Sequence, residues 1–181
     1  MPADPHFSSL PTERLTLRRF GQGDLDALVA YRSDPDTARL QGWEAPYPTE
    51  HAHAFLDEMA ALDPGTPGVW FQFAVEERST GALVGDCALH CDAEDPTTAW
   101  IGFTLAPEHQ GRGYATEAVR ALLRYACERL DACRVIATVD TRNGPSIALL
   151  ERVGFRRTGT NETVFKGEPC EEHTYAVDLR A

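Results

Sequence analysis

The stretch that most narrows what this chain can fold into is residues 100–126, WIGFTLAPEHQGRGYATEAVRALLRYA. An extended apolar run closes at Ala106-Pro107, where the chain loses a ladder donor. A short loop from Glu108 then opens into a helical pattern running from about Gly113 to Leu130, with Ala115, Ala118, Val119, Leu122, Leu123 and Ala126 on one stripe. Gly111 and Gly113 let the backbone turn tightly and let a ligand approach it closely. Consecutive amides with a helix N-terminus behind them suit an anionic phosphate group, and Arg112 adds charge at the rim. The spacing is neither the dinucleotide pattern GxGxxG nor the nucleotide loop GxxxxGK(S/T). A bare strand-to-helix turn would use the same two glycines, so loop composition alone leaves both readings open.

The rest of the chain supplies one sheet and its helices. Residues 1–12 hold three prolines and little apolar pattern, which predicts a lead-in arm before a domain spanning 13–181. Leu15 and Leu17 alternate with polar residues in a strand near 13–20. Asp24 is placed to cap a helix carrying Leu25, Leu28 and Val29, and Thr49 a second carrying Phe55, Leu56 and Met59. Residues 69–76, 82–90 and 99–105 read as strands, the first two as a hairpin about Ser79-Thr80-Gly81. An apolar strand follows at 133–139, then a helix at 145–152 ended by Gly154, then final strands at 155–159 and 175–179. The order predicts a mixed α/β (α+β) domain with one mostly antiparallel central sheet and about four flanking helices.

Composition excludes several functions. Seventeen Lys and Arg against 28 Asp and Glu give a net charge of −11, which argues against a nucleic-acid binder and favours cationic partners. No run approaches the roughly 20 apolar residues of a membrane span, and the N-terminus lacks a basic start followed by an apolar stretch. Five cysteines in a chain of this size read as reduced thiols, hence a cytoplasmic protein. Cys87, His90 and Cys91 with Cys170 and His173 have spacings that suggest zinc, yet neither group is a recognised knuckle and Cys87 and Cys91 fall in a strand as small hydrophobes; no metal is expected.

Gln110-Gly111-Arg112-Gly113-Tyr114-Ala115 resembles the Q/R-x-x-G-x-G/A signature of the GNAT superfamily of N-acetyltransferases. Thr116-Glu117-Ala118, Asn143-Gly144-Pro145-Ser146, Glu151 to Phe155 and the opening Thr12 to Arg18 resemble its RimJ/RimL-type branch. The resemblance covers residues 11 to about 179 and implies a single domain whose sheet splays to hold acetyl-CoA. It implies that Phe103, Thr104 and Leu105 pair with the pantetheine arm through their backbone. It also implies that residues 110–115 (Gln110, Gly111, Arg112, Gly113, Tyr114 and Ala115) cradle the pyrophosphate with help from Thr116, and that a strand amide polarises the thioester carbonyl.

Acetylating an amine requires a group to take its proton and one to return a proton to the leaving thiolate. No Tyr lies in DTRNGPSIALLERVGF, so by resemblance Ser146 is the expected acid and Asn143 a ligand of the cofactor arm; both also suit a helix start. For the base, Glu162 in the segment 159–167 is the nearest match, with Asp86 and Glu117 as alternatives; each reads equally as a solvated carboxylate. Trp43, Glu44 and Tyr47, with Asp86, are expected to hold a cationic acceptor by ring-face attraction and charge. His51 and His53 border that region, and Asp92, Glu94, Asp95, Glu168, Glu171 and Glu172 add negative potential. The favoured acceptor is a cationic small molecule such as an aminoglycoside-type antibiotic or a polyamine. The alternatives are the N-terminal amine of a basic ribosomal-type protein and, in another class, a non-catalytic CoA sensor. A homodimer is expected from the resemblance.

Overall fold

A computed structural model describes residues 2–180; Met1 and Ala181, the outer ends of the expected arm and domain, lie outside the described residues. Eight strands form one sheet in the order β1-β2-β3-β4-β5-β6-β8-β7. They are β1 (Ser9–Pro11), β2 (Leu15–Arg18), β3 (Trp70–Glu77), β4 (Leu83–Cys91), β5 (Thr98–Leu105), β6 (Arg134–Asp140), β7 (Arg156–Phe165) and β8 (Glu168–Asp178). The helices are α1 (Leu25–Arg32), the single turn α2 (Pro35–Ala38), α3 (Thr49–Ala61), α4 (Tyr114–Leu130) and α5 (Gly144–Arg152). This is the mixed sheet expected from the sequence: every neighbouring pair is antiparallel except β5 and β6. No helix among the described residues is long and apolar enough to cross a membrane.

Two cores sandwich the sheet. One packs α4 and α5 against Leu15, Leu17, Phe71, Phe73 and Val75; the other packs α1 and α3 against Ala74 and Leu83. Cys87 and Cys91 sit in the first core, where burial pushes both thiols up, the latter to about 11. The N-terminal segment departs from the arm expected there. Ser9–Pro11 pairs with β2, and Phe7 is buried edge-on against Phe71, Phe73 and Tyr125. Asp24 stands at the N-cap of α1 as expected, but its carboxylate takes Arg18 through two bonds of 2.8 Å instead of a helix amide, and Pro48, not Thr49, occupies the N-cap of α3.

The larger departure is β7 and β8, which run ten and eleven residues as a hairpin where the sequence suggested two short strands and a loop over 159–167. The turn is Lys166-Gly167, both at positive φ (52° and 79°), the conformation of a two-residue hairpin loop. Most of β7 is exposed, so no apolar alternation marks it in the sequence.

Two backbone features open the centre of the sheet. The parallel pairing of β5 with β6 ends at Trp100–Ile136, so beyond it the two strands diverge, leaving Ile101–Leu105 and Ala137–Asp140 as facing edges. Gly85 sits at φ +152°, where a β-carbon would come within 2.1 Å of the Thr104 carbonyl oxygen. Only glycine lets the end of β5 press this closely on β4.

Candidate active site

The divergence of β5 and β6 opens into a cavity of about 1000 Å³. Its walls include the β5 segment Ile101–Thr104, the β6 segment Ala137–Asp140, the start of α5, the α2–α3 loop and α3. Of the residues singled out from the sequence, Trp43, Glu44, Tyr47, His51, Asp86, Phe103, Thr104, Asn143, Ser146 and Glu172 line this one space.

Leu105 and residues 110–116 stand beside it, at the end of β5. There Gly111 and Gly113 take φ of +73° and +80°, and Gly113 is the N-cap of α4. The first backbone bond of that helix runs from Glu117 N to Gly113 O (3.1 Å), so the amides ahead of it have no helical partner, the arrangement that suits an anion. Gln110 Nε2 donates to Leu105 O (3.0 Å), tying the loop to the strand end. The Tyr114 side chain is turned away, its hydroxyl donating to Glu77, which leaves its amide for a ligand. Thr116 Oγ1 accepts from Arg152 (3.3 Å).

Three expected roles change with the geometry. Glu162 does not line the cavity; it lies on the exposed face of β7 opposite Glu171, so the hairpin carries it away from the notch. Glu117 is a structural latch. Its carboxylate accepts from Thr12 Oγ1 (2.6 Å), the Arg14 amide (2.7 Å) and Arg14 Nε (2.7 Å). Burial opposes its charge, but these bonds hold the carboxyl below its usual range. Trp43 and Tyr47 do not form an empty cation box. The chain's own Arg32 fills it, its guanidinium carbon 4.4 Å from the Trp43 ring centre, 5.2 Å from Tyr47 and 4.3 Å from Phe55.

Arg32 escaped sequence reasoning although a signal existed: it follows Leu28 by four residues, on the buried stripe of α1. In the structure it is 3% exposed, donating to Tyr47 Oη (3.2 Å) and Gln72 Oε1 (2.9 Å) and pairing with Asp86 Oδ2 (3.5 Å). The same Asp86 oxygen accepts from the Tyr31 hydroxyl. Burial pushes the Asp86 carboxyl up from its ordinary range, and the Arg32 charge and the Tyr31 bond only partly offset that.

On the opposite wall, Asn143 Oδ1 accepts from Ser146 N (3.2 Å), so the expected capping of α5 is present, and Ser146 lines the cavity. The β7–β8 tip crosses to the far rim. Lys166 Nζ donates to Ala38 O (2.9 Å) and to Trp43 O and lies 3.5 Å from Glu44. Hydrogen bonds from a charged donor contribute about 1.5–3 kcal/mol. A K166M variant should therefore exchange its Phe165–Glu168 amide protons about tenfold faster or more; unchanged exchange would show that the tip is held by the strand ladder alone.

The cavity is acidic. Glu44, Glu58, Asp86, Asp140 and Glu172 face it against the single guanidinium of Arg32. Asp140 is neutralised by Arg142 (2.6 Å), whereas Glu58 and Glu172 have no ion pair among the described residues.

Comparison with known proteins agrees with this architecture. The family model described as Acetyltransferase (GNAT) domain matches residues 14–156. The uncharacterized N-acetyltransferase YoaA of Bacillus subtilis is 30% identical over 173 residues, 94% of this chain and 97% of the relative. A putative ribosomal-protein-serine acetyltransferase from Vibrio cholerae superposes with TM-score 0.80 at 26% identity, covering 96% of this chain and 98% of that one. Spermidine N-acetyltransferase from Vibrio cholerae, solved with CoA and spermine, superposes with TM-score 0.77 over 93% of this chain and 97% of that one; at 21% identity the likeness is one of fold.

Proposed function

This chain belongs to the GNAT family of acetyltransferases, and from that premise we propose that it transfers the acetyl group of acetyl-CoA to a primary amine of a cationic small molecule. Members of the family are acyl-CoA N-acyltransferases, so the reaction type follows from membership; the acceptor class and the residue roles are the proposal. The observation that carries the acceptor class is the cavity itself, where among the described residues Glu58 and Glu172 have no ion pair and the one buried guanidinium is already matched to Asp86. Such a space concentrates polyamines or aminoglycoside-type amines and repels anions.

The structure fits the cosubstrate in two places. The unpaired β5 edge at Gly102–Thr104 offers backbone groups to an extended amide-bearing arm, and the amides at Gly111–Thr116 suit a diphosphate. Bound acetyl-CoA would supply an activated acyl group at the wide end of the notch. Ser146 Oγ returns a proton on the side of the leaving thiol, with Asn143 fixing the start of α5 beneath it. An S146A variant should bind CoA as the wild type does and lose about 100-fold in kcat; unchanged turnover would remove Ser146 from proton transfer. The five free cysteines, none paired with another, suit the reducing cytoplasm in which such a reaction would run.

The acceptor class is tested by thiol release over amines of rising charge, from monoamines through diamines and polyamines to aminoglycosides, beside basic peptides. A rise in kcat/KM with positive charge, weakened by added salt, supports the cationic small molecule. Turnover confined to peptides replaces it with the N-terminus of a basic protein.

A further inference from the structure

We propose that Asp86 is the group that takes the proton from the acceptor's ammonium, with Tyr31 and Arg32 as the positioning residues that hold its carboxylate for that task. The inference rests on the acetyl-transfer reading and adds the missing proton acceptor to it.

Asp86 lies on β4 in register with Thr104 of β5, so the two side chains share the sheet face that α1 and α3 cover. Thr104 belongs to the strand edge that the divergence of β5 and β6 lays open. Asp86 therefore stands at the meeting point of notch and acceptor cavity and lines the latter. Its two oxygens are treated differently. Tyr31 and Arg32 both engage Oδ2, while Oδ1 has no hydrogen-bond partner among the described residues and is not sealed from solvent. Oδ1 is the oxygen left to meet a ligand in the cavity. The other cavity carboxylates lack this setting. Glu44 is 80% exposed at its side chain, Glu58 is exposed, Glu172 has no side-chain hydrogen bond or ion pair to anchor it among the described residues, Asp140 is committed to Arg142, and Glu162 and Glu117 are outside the space.

The anchoring is specific. Arg32 is clamped among Trp43, Tyr47 and Phe55 and bonded to Gln72, so it cannot swing away from Asp86. The charged and titratable groups around Asp86 are Tyr31 and Arg32 from α1, Tyr47 through Arg32, and Cys87 next to it in β4; His51 and Glu58 of α3 share the cavity, and Asp140 and Glu172 face it from the other wall. Burial makes this carboxyl a stronger proton acceptor than a solvated aspartate.

The proton balance is simple. The ammonium gives one proton to Asp86 Oδ1. The freed nitrogen lone pair forms the C–N bond as the C–S bond breaks, with its electrons left on sulfur. Ser146 Oγ gives its proton to sulfur and takes the second nitrogen proton in its place, and Asp86 returns its proton to water, so ammonium and thioester give amide, thiol and one proton.

The test compares D86N and Y31F with the wild type in thiol release and in binding of CoA. Asparagine keeps the shape and can still accept from Tyr31 and Arg32, so D86N should bind CoA within about twofold of wild type and lose about 100-fold or more in kcat. Its residual rate should climb with pH as the free amine becomes abundant. Y31F removes a bond that favours the ionised carboxylate, so the acidic limb of its kcat/KM profile should move to higher pH. A folded D86N with kcat within threefold of wild type overturns the assignment. If D86N does not fold, Y31F decides, and an acidic limb unmoved from wild type overturns it equally. A wild type that binds CoA yet releases thiol with no amine defeats the acetyl-transfer reading itself and this inference with it.

Discussion

A G113V variant should bind CoA at least about 100-fold more weakly while leaving the fold in place. Gly113 sits at φ +80° at the head of α4, a conformation that costs a β-branched residue more than the roughly 1–2 kcal/mol of an ordinary side chain. Its β-carbon would meet only Arg14 Nη2, at 3.4 Å, the far end of a flexible side chain that can give way. The relief open to the backbone is a shift in φ, which turns the first amides of α4 away from a common anion. Calorimetry with CoA should show at least about a 100-fold loss in affinity, or roughly 2.7 kcal/mol, with a fall in melting temperature of about 4 °C or less per kcal/mol of strain. Wild-type affinity in G113V would mean that the loop is only a turn and that the cosubstrate is held elsewhere.

Removing Arg32 should have the largest effect on stability. Its side chain and that of Asp86 are each 4% exposed, so an R32M variant keeps the volume among Trp43, Tyr47 and Phe55 but strands a buried carboxylate. Breaking a buried pair from one side costs about 3–5 kcal/mol, read from urea unfolding. The sign of the pH dependence follows from the raised pKa. The Asp86 carboxyl already lies above its ordinary range because of burial, and loss of the guanidinium raises it further. A folded-state pKa above the unfolded value means that stability is highest at low pH and falls as pH rises through the folded pKa. The deficit of R32M relative to wild type should therefore shrink from about pH 7 toward about pH 4, the ordinary aspartate range. Adding D86N to R32M should restore much of the loss. A deficit under about 1 kcal/mol, typical of an exposed pair, would show that water reaches these charges.

These two sites differ in how far the sequence reveals them. The Gly111–Gly113 loop is legible because its constraint is local: a proline-ended strand, two glycines and an amphipathic helix are contiguous. The sheet and its helices are legible for the same reason, through periodicities of two and 3.6 residues. The acceptor wall is assembled from α1, β3, β4 and the α2–α3 loop, and no local pattern says that Arg32 lies between the rings of Trp43 and Phe55. Reading Trp43, Glu44 and Tyr47 as an open cation site missed that the cation is internal. The long β7–β8 hairpin is illegible for another reason. Its strands are held mainly by ladder bonds with both faces largely wet, so the hydrophobic pattern that marks β2 or β6 is missing, and only Lys166-Gly167 marks the turn. Glu162 is expected in the site only as the nearest match to the family's carboxylate in that segment, whereas its strand lies on the outer edge of the sheet.

On the proposed function, the notch between β5 and β6 delivers an acetyl group to an amine in the acid-lined cavity. The most direct test incubates the protein with acetyl-CoA labelled in the acetyl group and a cationic amine such as spermidine or an aminoglycoside, and follows the label by mass spectrometry. Label on an amine nitrogen, in proportion to thiol released, is the required result. Tight CoA binding with no labelled amide from any amine or basic peptide would contradict it and leave a domain that senses CoA.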